Sequence, residues 1–136
     1  MTEKILNNLR ILVVDDDEVI LNVFSSIMRQ AGYHTDFFLD PQQALSTLAS
    51  HPLRYDILVV DIHMPGQDGI SLARKVREML PDLPVMFMTG GDVTEEKKEE
   101  ALALGRVRFL PKPFPLIDAL TEMVSKFALE KKPVVK

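Results

Sequence analysis

Asp15, Asp16 and Asp17 form an unbroken acidic run, while Asp61, Thr89 and Lys112 each follow a short apolar stretch as isolated polar residues. Carboxylates brought within a few ångströms of one another repel strongly where water is partly excluded. Such a cluster persists when a cation neutralises it. With oxygen ligands alone the expected ion is hard, Mg²⁺ or Mn²⁺ in its place. Mg²⁺ also keeps several waters, which leaves room for a phosphate oxygen. A carboxylate held there can attack phosphorus to give an acyl phosphate, a reaction that needs charge neutralisation more than covalent help. Asp61 is the expected nucleophile. Lys112 would neutralise one side of the phosphoryl group, and the Thr89 hydroxyl would donate to a phosphate oxygen once the group is attached. Each residue alone has a plainer role: Asp17 is expected to cap a helix, a lone lysine is commonly a solvated charge, and a threonine after a strand often caps a helix. The joint placement carries the reading.

Two kinds of segment must position these residues. Ile11–Val14, His34–Phe38, Ile57–Val60, Val85–Met88 and Val107–Leu110 read as strands, and runs such as Ile57-Leu58-Val59-Val60 suit strands covered on both faces. Helical spacing appears between them. Val19, Val23, Ile27 and Ala31 share a face in the first helix, with Gly32 as its stop. Asp40-Pro41 opens the second, which carries Ala44, Leu45 and Leu48. The third covers about 71–80, and the fourth runs from about Thr94 to Leu104. The fifth starts near Pro115 and carries Leu116, Leu120, Val124 and Phe127. Five strands alternating with five helices imply an α/β fold with a parallel sheet and helices on both faces. Ligands of such a sheet collect at the carboxyl ends of its strands, where the acids, the hydroxyl and the ammonium all fall.

The chain resembles the receiver domain of two-component response regulators. The resemblance runs through Val13-Val14-Asp15-Asp16, Asp61-Ile62-His63-Met64-Pro65-Gly66-Gln67-Asp68-Gly69, Met88-Thr89-Gly90 and Lys112-Pro113-Phe114, and covers about positions 9 to 129. It implies a flavodoxin-like, doubly wound (βα)5 sandwich with strand order 2-1-3-4-5. It implies Asp61 as phosphoacceptor, with Asp16 as direct metal ligand, Asp15 as a ligand acting largely through water, and the main-chain carbonyl of His63 as a third. It also implies a cis peptide before Pro113, with Met64-Pro65-Gly66 and Asp68-Gly69 as a turn leading into the third helix. Thr89 and the aromatic Phe109 would form the switch that alters the face made by the fourth helix, fifth strand and fifth helix. The implied partners are a sensor histidine kinase or histidine phosphotransfer domain and a downstream output protein or domain, with a homodimer through that same face as one assembly. The implied role is a phosphoacceptor signalling domain that catalyses only its own phosphorylation and dephosphorylation.

Some positions depart from the common pattern. Gly91 leaves the site less shielded, and His63 places an imidazole beside it; in the family these positions tune how fast water removes the phosphate. Arg106 stands where alanine is common. The charged run Glu95–Glu100 reads as a solvated face of the fourth helix. Two other chemistries are disfavoured. A phosphatase of the haloacid-dehalogenase type would need an Asp-x-Asp pair after the first strand and a cap domain. An FMN binder would need a hydroxyl- and glycine-rich loop there, where this chain has three acids that repel anions. A receiver that no longer accepts phosphate is disfavoured by the intact acidic set.

The bulk numbers agree. The 136 residues suit one domain, 46% of them are hydrophobic, and the net charge of −4 argues against a general nucleic-acid binder. There is no cysteine, which excludes disulfides and thiolate zinc sites and fits a cytoplasmic location. The apolar runs are far shorter than the roughly 20 residues that a membrane helix needs, and Met1–Arg10 lacks a signal-peptide core. Residues 1–8 read as a leader, 9–129 as the receiver and 130–136 as a tail or the start of a linker. The chain is expected to be a whole single-domain regulator or a receiver piece of a hybrid kinase or multidomain regulator.

Overall fold

The computed structural model describes residues 8–64, 66 and 68–130. Most of the expected leader and tail, together with Pro65 and Gln67 of the turn, lie outside the described residues. The elements alternate along the chain: β1 (Arg10–Val14), α1 (Glu18–Gln30), β2 (His34–Phe38), α2 (Pro41–Ser50), β3 (Ile57–Asp61), α3 (Gly69–Met79), β4 (Val85–Thr89), α4 (Glu95–Leu102), β5 (Val107–Pro111) and α5 (Ile117–Leu129). The five strands form one parallel sheet in the order β2-β1-β3-β4-β5. The fold is therefore the doubly wound α/β arrangement expected from the alternating pattern.

Strand residues alternate between two cores, as the two-residue period requires. Leu12, Val14, Leu58, Val60, Val85 and Phe87 pack with α2, α3 and Ala101 of α4 on one face. Ile11, Val13, Ile57, Val59, Met86 and Met88 pack with α1 and α5 on the other. The central strand β3 is buried along its whole length.

The helices start where their caps dictate. Asp17 accepts from the N–H groups of Val19 and Ile20, Asp40 from Gln42, Asp68 from Ile70 and Thr94 from Lys97. The buried stripe of α1 is Leu21, Phe24, Ser25 and Met28, so the Val19–Val23 face is not the one that meets the sheet. Val19 is 68% exposed and Val23 44%. Helical spacing supports both stripes, and the bulkier one wins the burial. Leu116 stands at the cap position of α5 and is exposed, while Leu120, Val124 and Phe127 are buried as expected.

The amino end of the sheet, opposite the acids, is tied by Arg77. Its guanidinium donates to the carbonyls of Leu104 (3.2 Å), Leu80 (3.1 Å), Leu83 (2.5 Å), Gly105 (2.7 Å) and Arg106 (3.4 Å). The last turn of α3, the entry to β4 and the α4–β5 connection thus share one planar donor. Arg106, the departure noted in the sequence, has φ 53° and donates to the Glu130 carbonyl at 2.6 Å.

Candidate functional site

The acids of two loops meet at the carboxyl end of β1 and β3. Oxygen atoms of Asp15, Asp16 and Asp61 lie within 4.8 Å of one another. Asp15 is fully buried and Asp61 is 8% exposed, whereas Asp16 faces solvent. Parallel pairing explains the convergence: Val14 is in register with Val60, so the next residues, Asp15 just after β1 and Asp61 at the end of β3, emerge side by side. Asp15 is oriented by accepting the Asp17 N–H at 2.9 Å. Asp61 Oδ1 accepts the His63 N–H at 3.1 Å.

Lys112, from the far side of the sheet, reaches both buried acids. Its ammonium donates to Asp15 Oδ2 and to Asp61 Oδ2, each at 2.9 Å. The Lys112 N–H donates to the Thr89 carbonyl at 2.8 Å, which fixes the root of the lysine to the end of β4. The Lys112–Pro113 peptide is cis, as expected.

One ammonium faces three carboxylates, and the titration of the groups reflects the imbalance. Burial pushes the Asp61 carboxyl up, the Lys112 hydrogen bond pulls it down, and the Asp15 charge raises it again; the net direction is upward. Asp16 is also raised, by burial and then by its neighbour Asp15. Burial works against the Lys112 charge, but the two carboxylates outweigh it and hold the ammonium above its ordinary value. An all-oxygen set that resists full ionisation fits a hard divalent cation, so the cluster is able to hold a metal ion.

Asp15, Asp16, Asp61 and Lys112 are thus brought together, and Thr89 ends the adjacent strand, partly exposed. Phe109 lies further along β5, partly exposed, with its ring centroid 6.3 Å from that of Phe87. The His63 imidazole points to another residue: its Nε2 lies 3.7 Å from Asp92 Oδ2, an approach between the loops after β3 and β4 that sequence spacing did not single out. The adjacency of those strands is the signal that could have found it.

Two glycines differ in what they permit. A Cβ at Gly69 would fall 2.0 Å from the Asp61 carbonyl oxygen, so only glycine lets α3 begin this close to the acid. A Cβ at Gly91 would meet nothing within 4 Å, so the mouth of the site is open on that side.

Residues 11–125 match the family model described as the response regulator receiver domain. The transcriptional regulatory protein FixJ of Bradyrhizobium diazoefficiens is 35% identical over 127 residues, covering 93% of this chain and 60% of FixJ. The receiver domain of the Francisella response regulator 1452 is 35% identical with a TM-score of 0.75, covering 89% of this chain and 97% of that one. The chemotaxis protein CheY4 of Vibrio cholerae is 26% identical with a TM-score of 0.78, covering 88% and 98%. The chain spans between 19% and 60% of the length of the first curated relatives that it matches.

Proposed function

This chain belongs to the response-regulator receiver family, and from that premise we propose that it takes a phosphoryl group from a phosphohistidine onto Asp61 in a Mg²⁺-dependent reaction and relays the change to a partner. The observation that carries this reading is the Lys112 ammonium held between Asp15 and Asp61, with Asp16 alongside. A carboxylate oxygen of Asp61 attacks phosphorus as the phosphorus–nitrogen bond of the donor breaks, and the imidazole leaves with that electron pair. Lys112 sits where it can follow the charge from the acid to the phosphoryl oxygens. Asp15, Asp16, Asp61 and the main-chain carbonyl of His63 would hold Mg²⁺, which supplies neutralisation of the phosphoryl and carboxylate charge. Mn²⁺ offers the same chemistry.

Family membership implies partnership with kinases and output domains. The exposed apolar residues Val19, Val23, Leu116 and Ile117 offer such a donor a face to dock on. The signal is read as an inward turn of Thr89 and Phe109 that alters α4, β5 and α5. Phe109 is only partly buried, which leaves it room to move. That same face is the proposed contact for an output protein or a second copy. Residues 9–129 form the receiver in this reading, and the segment from 130 onward leads into a tail or linker. Among the described residues no helix is long and apolar enough to cross a membrane, and a cytoplasmic site of action is part of the proposal.

The deciding experiment is incubation with acetyl phosphate and Mg²⁺ followed by intact-mass measurement. A Mg²⁺-dependent adduct of one phosphoryl group on the wild type, and none on Asp61→Asn, is expected. An equal adduct on both proteins, or none on the wild type, overturns the assignment.

A further inference from the structure

The helix α4 is attached unlike its neighbours. Of its eight residues only Ala101 is buried, whereas α3 buries Ile70, Leu72, Ala73 and Val76, and α5 buries Leu120, Val124 and Phe127. Apolar burial therefore holds α4 weakly. Ionic contacts to α3 take its place. Lys97 Nζ lies 2.6 Å from Asp68 Oδ2 at the cap of α3, and Arg74 Nη2 of α3 lies 3.1 Å from Glu100 Oε1, while within α4 itself Lys97 Nζ also lies 3.8 Å from Glu100 Oε2. Asp68 has a second task, since its Oδ1 accepts the Ile70 N–H at 2.6 Å and caps α3. The neighbouring Gly69 donates to the Ile62 carbonyl at 2.8 Å. A short chain of bonds thus runs from the residue after Asp61, through the start of α3, to the middle of α4.

We propose that Lys97 is a polar latch that holds α4 to the segment leading out of β3, and that release of this latch sets how far α4 moves when Asp61 is modified. The second half rests on reading Asp61 as the phosphoacceptor. Burial alone would raise the Asp68 carboxyl, but the Lys97 ammonium and the Ile70 N–H outweigh it and hold it below the ordinary carboxylate range. Both partners are about one third exposed, so added salt reaches the pair. A helix fixed by apolar packing would not respond to salt in this way.

The test is amide hydrogen exchange of α4 in the full chain without any phosphodonor. Lys97→Met removes the charge and keeps most of the stem. Asp68→Asn removes the charge and keeps a good cap. Exchange across α4 is expected to rise about threefold in each, consistent with one partly exposed ion pair. About 0.5 M NaCl should bring the wild type to the same rate. The double variant should exchange no faster than either single one, because both remove the same contact. Lys98→Met, whose ammonium pairs with Glu95 inside α4, should behave as wild type. The latch is overturned if the single variants match the wild type, if their effects add, or if Lys98→Met copies them. In protein labelled by acetyl phosphate, wild-type α4 should approach the rate of Lys97→Met while that variant stays unchanged; an unchanged labelled wild type overturns the second half. Failure of Asp61 to label sinks the phosphoacceptor reading and that second half with it, while the unlabelled comparison still decides the latch.

Discussion

Lys112 Nζ and Asp61 Oδ2 are 2.9 Å apart, while the other oxygen of Asp61 is held by the His63 amide. The carboxylate is therefore fixed at both ends by donors, and one of them carries a charge. Lys112→Met should slow acetyl-phosphate labelling of Asp61 by about a hundredfold, the usual scale for losing one charge-stabilising donor. Lys112→Arg should rescue little, because a planar fork cannot replace one point donor shared by two acids. Time-resolved intact-mass measurement reads both rates.

Magnesium should stabilise the fold through the same acids. The Asp61 carboxyl is raised, so its ionised form costs stability: the contribution is present below the ordinary carboxylate value and is lost as pH rises through the folded one. At neutral pH without metal, Asp61→Asn should melt higher than the wild type. Saturating Mg²⁺ should raise the wild-type Tm by about 3 °C and leave Asp16→Asn and Asp61→Asn nearly unmoved. Thermal melts with and without EDTA check this.

Gly91 has open space where a side chain would begin. Gly91→Arg should lengthen the lifetime of the Asp61 phosphoryl group by shielding it from water, with little change in Tm. Decay of the labelled mass after donor removal measures the lifetime, and an unchanged decay would discard the idea that this position governs water access.

Gly69 is the opposite case. Gly69→Ala should cost about 3 kcal/mol, because the added carbon collides with the Asp61 main chain and nothing flexible can yield. Denaturant unfolding should show the loss, and labelling should fall with it.

Tyr55 donates to Asp36 Oδ2 at 2.6 Å, and its phenol is pushed up to about 12 by burial and then by that acid. Stability from this pair is present below about pH 10, the ordinary tyrosine value, and is lost as pH rises towards the folded one. Absorbance at the tyrosinate band should show one late step near pH 12, and Tyr55→Phe should remove it.

The fold was legible in the sequence because β1, β3 and β4 are nearly continuous buried runs, while the edge strands β2 and β5 are partly exposed but still short β-branched or aromatic stretches bounded by clear breaks. Three strands run one residue further than their apolar stretch, to Asp61, Thr89 and Pro111, because the ladder continues through Asp61–Met88 and Thr89–Pro111. The order of the strands came from the resemblance, since alternation alone does not set it. Which face of α1 is buried was not legible: Val19, Val23 and Ile27 are as periodic as Leu21, Phe24 and Met28, and in the structure Ile27 and Ala31 pack at the edge of the core while Val19 and Val23 are exposed. The acids and Lys112 were legible because strand ends converge in a parallel sheet. The approach of His63 to Asp92 follows from the adjacency of β3 and β4 only once the strand order is known, and that of Lys97 to Asp68 depends on how adjacent helices are set, which no spacing rule encodes.

Arg77 also governs how this molecule comes apart. Five carbonyl groups from two separate connections lean on a single guanidinium, so withdrawal of that one side chain leaves all five short of a donor at once. The floor of the sheet should open as one cooperative unit, while the loops at the acidic end rearrange above an undisturbed base.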